Sequence, residues 1–302
     1  MKMLSNNGFN SFCSRSTLYR FIVCCSLLCS LITSFRLTAS TSELTLNPPQ
    51  ASQALEIMDT ARNRLIPVEL YNPASKFACT PDKPCPVVIL SSGYGLLHTD
   101  YQFISHFFQQ HGTLVIAVRH ELPSDPSLSG IQPFMETRSE NWQRGANTLD
   151  FIHEYFSGDE LHAEAHHYAN YDFNHITLVG HSNGGDISAW LADYGVVSNK
   201  SKLNGAGANK STNKQVQYIA RIITLDHRRV ALPRSPDIEV LSIRASDYPA
   251  DEGVLPGVDE DAANISVVTI EKARHNDMND YGPEWLKNEI VRIIAKQFYS
   301  AE

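Results

Sequence analysis

Ser182 stands at the centre of Gly180-His181-Ser182-Asn183-Gly184, a G-x-S-x-G pattern preceded by the apolar residues Ile176, Leu178 and Val179. Downstream, Ile187, Trp190, Leu191 and Tyr194 recur at helical spacing, with Asp186 in the first turn. The pattern predicts a strand, a sharp turn and a helix, with the serine hydroxyl presented at the tip. Such a turn brings neighbouring backbone close, so glycine is required two residues before and two after the serine.

A serine hydroxyl is a weak nucleophile until a base takes its proton and an acid orients that base. Two histidines follow Ser182, namely His227 and His275. His275 lies after the last predicted strand and before the last predicted helix, which is where the base of such a site is expected. His227 directly follows Asp226 and is the weaker candidate. For the acid, expectation falls first on Asp247, three residues past the strand predicted over 238–244. Asp251, four residues further on, and Asp226, at the end of the preceding strand, are the alternatives. Acyl transfer also needs two donors aimed at the developing oxyanion. The amides of Asn183 and of Tyr94, in the glycine-softened segment Ser92-Gly93-Tyr94-Gly95, are the expected pair.

The elements that would hold these residues alternate. Strands are predicted over 65–71, 87–90, 113–118, 221–225, 238–244 and 265–270, besides the one that enters Ser182. Helices are predicted over 101–110, from Trp142 to about Tyr155, after Ser182, and from Pro283. Alternation of this kind argues a mostly parallel sheet with helices on both faces and a site at the carboxyl ends of the strands. The loop over 121–141, with Pro123, Pro126 and Pro133, leaves a strand at that edge and is expected to form the rim of the pocket. The polar stretch 199–214 is expected to be a surface insertion.

The chain has 302 residues, 42% hydrophobic and 19% charged, which is enough apolar content for one sizeable core and too little bias for a disordered chain. Lys2, Arg15 and Arg20, with no acid among them, precede a fifteen-residue apolar run over 21–35. Residues 1–39 therefore read as a signal peptide cleaved after Ala39, with an uncleaved anchor as the alternative, and 40–302 as a single domain. Export to a periplasmic or extracellular space is expected. Four of the six cysteines fall in the leader, leaving Cys79 and Cys85 to form a disulfide in an oxidising compartment. Without the leader's four positive charges the net −8 becomes about −12, a balance that disfavours nucleic acid or anionic lipid as a partner. No stable membrane insertion is expected once the leader is removed. His162 and His166 stand at i, i+4 spacing, but with His167 they read as the exposed polar face of a helix, so neither metal nor other cofactor is expected.

On these motifs the chain resembles the α/β-hydrolases over residues 65–298. Ser92-Gly93-Tyr94 together with Gly180-His181-Ser182-Asn183-Gly184-Gly185 resembles the dienelactone-hydrolase-like and cutinase-like esterase branches. The strand end Leu225-Asp226 is similar to that of the platelet-activating-factor acetylhydrolases, in which the acid occupies this earlier strand. The resemblance implies a cofactor-free esterase with a Ser-Asp-His triad acting on a small-molecule ester. A peptidase or amidase with the same triad, and a non-catalytic binding protein on the same fold, are the alternatives.

Overall fold

The computed structural model describes residues 51–158, 168–197 and 213–299. The expected leader, the histidines at 162, 166 and 167, and residues 199–212 of the polar stretch lie outside the described residues.

Eight strands form one sheet in the order β1-β2-β4-β3-β5-β8-β9-β10. They are β1 (Gln53–Asp59), β2 (Arg64–Tyr71), β3 (Cys85–Ser91), β4 (Leu114–Val118), β5 (Tyr171–His181), β8 (Ile219–Leu225), β9 (Glu239–Arg244) and β10 (Ile265–Thr269). From β4 through β10 all neighbours are parallel, while β1 and β2 add an antiparallel edge. A small antiparallel pair, β6 (Val196–Val197) with β7 (Asn213–Lys214), closes the base of the polar stretch. β1 was not foreseen. Its outer positions are exposed and only Ile57 and Asp59 are buried, which leaves a weak periodic signal.

Strand pleating sends alternate residues to opposite faces. On β3, Val87 and Ile89 face one apolar layer while Val88 and Leu90 face the other. Helices α3 (Ser139–Ser157) and α4 (Asn183–Tyr194) cover the first layer through Trp142, Leu149, Ile152, Ile187 and Leu191. Helices α1 (Gln102–Gln110) and α5 (Glu284–Phe298) cover the second through Ile104, Phe108, Leu286, Ile290 and Ile294. A short helix, α2 (Phe134–Thr137), precedes α3. Pro283, expected as the first helical residue of α5, is instead its N-cap, in extended conformation.

The chain leaves β3 toward one side of the sheet and β5 toward the other, so the strand order reverses between them. A crevice opens at the carboxyl ends of the strands at such a point. Into it run the Ser92-Gly93-Tyr94 loop after β3 and the Ser182 turn after β5. At the far end of β3, Cys85 is joined to Cys79 by a disulfide, with Cα atoms 5.2 Å apart. Among the described residues, no helix is long and apolar enough to cross a membrane.

Candidate active site

Ser182 joins β5 to α4 with φ 51° and ψ −119°, a left-handed conformation that a residue with a side chain rarely adopts. Close packing enforces it. A Cβ at Gly180 would stand 2.4 Å from the Gly184 carbonyl, and one at Gly184 would stand 2.4 Å from the Ser91 carbonyl oxygen. One at Gly185 would meet the His227 Cβ at 2.6 Å. The Ser182 amide is tied to the Leu225 carbonyl at 2.9 Å, which fixes the turn against the end of β8.

His275 opens a short 3-10 turn after β10. Its Nε2 lies 2.9 Å from the Ser182 hydroxyl and its Nδ1 2.6 Å from Asp226 Oδ2. A carboxylate only accepts, so Nδ1 carries the proton and the Nε2 lone pair faces the serine O–H. Ser182, His275 and Asp226 thus form one directed hydrogen-bond chain. Asp226 is wholly buried, also at positive φ (48°), and its Oδ1 accepts from the Ala245 amide at 3.1 Å. The guanidinium of Arg244 lies 2.8 Å from the same oxygen. Burial pushes the Asp226 carboxyl up, but the His275 hydrogen bond and Arg244 outweigh it and hold the group below the ordinary carboxylate range.

The carboxylate on the imidazole is therefore not Asp247, the residue expected first. Asp247 Oδ1 instead accepts the backbone N–H of His275 at 3.0 Å. The reason is strand order. β8 is the immediate neighbour of β5, so a residue at its tip lies beside Ser182, whereas β9 is one strand further out. Asp251 pairs with Arg229 and its amide donates to the Arg228 carbonyl at 3.0 Å, away from the ring. His227, the alternative base, is fully buried beneath Gly185.

Ser182, His275, Tyr94, Leu96, Asn276 and Asn279 line one cavity of about 220 Å³. Asn183 is the first residue of α4, where amides have no intrahelical acceptor. Its side chain turns away, accepting from Trp142 Nε1 at 3.0 Å and donating to Glu121 Oε1 (3.0 Å) and Asn141 Oδ1 (2.9 Å). Burial raises the pKa of Glu121 in this network. The loop that Glu121 opens also reaches the cavity mouth, where the Leu128 amide donates to the Tyr94 hydroxyl at 3.1 Å.

Protein comparisons locate this architecture. A structure of Thermogutta terrifontis esterase 2 phosphonylated by cyclosarin superposes with a TM-score of 0.54 over 83% of this chain and 94% of that one, at 11% identity. A dienelactone hydrolase-like promiscuous phosphotriesterase from metagenomic libraries superposes at 0.52, with 13% identity, over 82% and 98%. The chain has the α/β-hydrolase fold. The native Thermogutta enzyme, described as a thermophilic esterase, matches at 0.52 with 14% identity over 81% and 91% of the two chains. No family model matches the sequence and no curated protein is similar to it at the sequence level.

Within this α/β-hydrolase fold, three supports of the site had no sequence motif to announce them. Arg244 is the last residue of β9 and belongs to no motif. Asp186 lies in the first turn of α4, and its Oδ1 accepts the amides of Arg228 (3.2 Å), Arg229 (2.8 Å) and Val230 (3.0 Å). It pins the loop that carries Asp226, and burial pushes its pKa up to about 6. Asp280 caps α1 through the Gln102 (2.8 Å) and Phe103 (3.1 Å) amides, tying the segment after His275 to the one after Tyr94.

Proposed function

We propose that the protein is an exported serine esterase that hydrolyses short-chain carboxylic esters through an acyl-enzyme. The observation that carries this reading is the unbroken chain from the Ser182 hydroxyl through His275 to the buried Asp226, on a strained turn that opens into a cavity. Ser182 Oγ attacks the ester carbonyl carbon as His275 Nε2 takes its proton. The imidazolium so formed is held by Asp226, whose lowered pKa keeps it ionised. The carbonyl oxygen becomes an oxyanion held by the amides of Tyr94 and Asn183. Collapse expels the alcohol, which leaves with the proton from Nε2. A water then attacks the acyl-serine with His275 as base, the acid departs, and Ser182 recovers its proton.

The volume of about 220 Å³ argues for small substrates, because pockets for drug-sized ligands run to roughly 300–1,000 Å³. The bridge between Cys79 and Cys85 suits the oxidising compartment to which the basic and apolar leader would direct the chain.

The test is hydrolysis of p-nitrophenyl esters from acetate to octanoate, beside labelling by a fluorophosphonate. Turnover greatest on the short esters, lost in Ser182→Ala and His275→Ala, with label on Ser182 alone, is the expected result. A wild-type protein that is folded, unlabelled and no faster than Ser182→Ala would overturn the reading.

A further inference from the structure

His181 precedes the nucleophile and takes no part in the chain of groups above, yet the residue is 3% exposed and both ring nitrogens are engaged. Nε2 lies 3.0 Å from the main-chain carbonyl of His275. A carbonyl cannot donate, so Nε2 bears the proton and Nδ1 is an acceptor. The Tyr101 hydroxyl, 2.7 Å from Nδ1, must then donate to it, which leaves the Tyr101 oxygen to accept the Gly93 amide at 3.0 Å. The direction of every bond follows from one carbonyl. Gly93 N–H donates to Tyr101, Tyr101 O–H donates to His181, and His181 Nε2–H donates to the residue that bears the base.

Space leaves no slack. A Cβ at Gly93 would stand 2.7 Å from His181 Nδ1 and 3.3 Å from the Tyr101 hydroxyl. With its own amide committed to Tyr101, Gly93 is not an oxyanion donor, and the next peptide along, which ends in the Tyr94 amide, is held by that commitment. Burial and the nearby His275 ring push the His181 pKa down to about 3, so the imidazole stays neutral while His275 gains and loses its proton.

We propose that His181 is a positioning residue of the hydrolytic site, setting the Tyr94 amide through Tyr101 and the His275 backbone through its own Nε2–H. One side chain on the nucleophile turn thereby aligns the oxyanion loop and the histidine loop. The proposal rests on the esterase reading above.

The test compares His181→Phe, His181→Gln, Tyr101→Phe and the double variant Tyr101→Phe/His181→Phe, each shown to be folded by circular dichroism, on p-nitrophenyl butyrate. His181→Phe keeps a ring and loses both bonds, and its kcat is expected to fall on the order of a hundredfold with KM little changed. Tyr101→Phe is expected to lose about tenfold. Because both act through one chain, the double variant should match His181→Phe rather than the product of the two losses. His181→Gln, with an N–H for the His275 carbonyl and an oxygen for Tyr101, should regain most of the activity. Folded single variants with wild-type kcat, independent losses in the double variant, or no rescue by glutamine would each overturn the proposal. A wild type that turns over no ester sinks the esterase reading, and the strut is then judged by ¹⁵N NMR of histidine-labelled protein, with His181 assigned by its loss in His181→Phe. A neutral Nε2–H tautomer from about pH 5 to 8 supports it, and a titrating ring or an Nδ1–H tautomer overturns it.

Discussion

Two aspartates touch His275, and they touch different parts of it. Asp226 holds ring Nδ1, while Asp247 holds the backbone N–H. Asp226→Asn would present an amide whose N–H₂ favours the wrong imidazole tautomer, and kcat is expected to fall on the order of 10⁴-fold. Asp247→Asn keeps a carbonyl oxygen for the backbone N–H and is expected to cost about tenfold or less. Steady-state kinetics of the two variants on one short ester checks the ranking, and equal losses would contradict it. From sequence the ranking ran the other way. Ser182, His275 and the strand-turn-helix that carries the serine were legible because chemistry and backbone strain restrict the residue types at those positions. The acid was not, because three aspartates follow strands and the choice depends on which strand lies beside β5.

Among the elements, α4 carries more of the site than its amphipathic face reveals. Its first turn must lie against the Ser91 and Ser92 carbonyls, so Gly184→Ala drives a Cβ into backbone oxygen at 2.4 and 2.6 Å. Backbone cannot swing aside as a side chain can, and the helix must shift with Ser182 attached. The expected outcome is a lowered melting temperature and a loss of kcat on the order of a hundredfold; wild-type turnover in that variant would refute it. The same helix anchors the Asp226 loop through Asp186, which burial raises to about 6. A raised carboxyl favours the protonated folded state. Its contribution is therefore fully present below the unfolded pKa near 3.8 and is lost as pH rises through about 6. Asp186→Asn keeps the Oδ1-like acceptor for the three amides and cannot ionise. Urea midpoints should show the wild type losing on the order of 3 kcal/mol relative to Asp186→Asn between about pH 4 and 6, and nothing further above it. Parallel pH curves would sink this assignment.

At the scale of the whole molecule, the sheet separates what stabilises from what reacts. All the candidate groups gather at the carboxyl ends of the strands, and the Cys79–Cys85 bridge closes its loop at the opposite end of β3. The alternation of strands and helices made this polarity legible from sequence, since right-handed crossovers on a parallel sheet place successive loops at one edge. The antiparallel edge was harder to foresee, because only two positions of β1 are buried. A bridge with a sequence separation of 6 acts mainly by restricting the unfolded chain. Loop-closure entropy for so short a loop is worth about 2 kcal/mol. For a domain of this size that is a shift of about 4–8 °C in melting temperature. Cys79→Ser/Cys85→Ser should therefore melt earlier by that amount while kcat/KM on a short ester is unchanged, since the bridge sits at the end of β3 opposite to the one that leads to Gly93 and Tyr94. Calorimetry and kinetics on one preparation decide the matter, and a fall in activity that tracks the fall in stability would mean that the two ends of β3 are mechanically coupled.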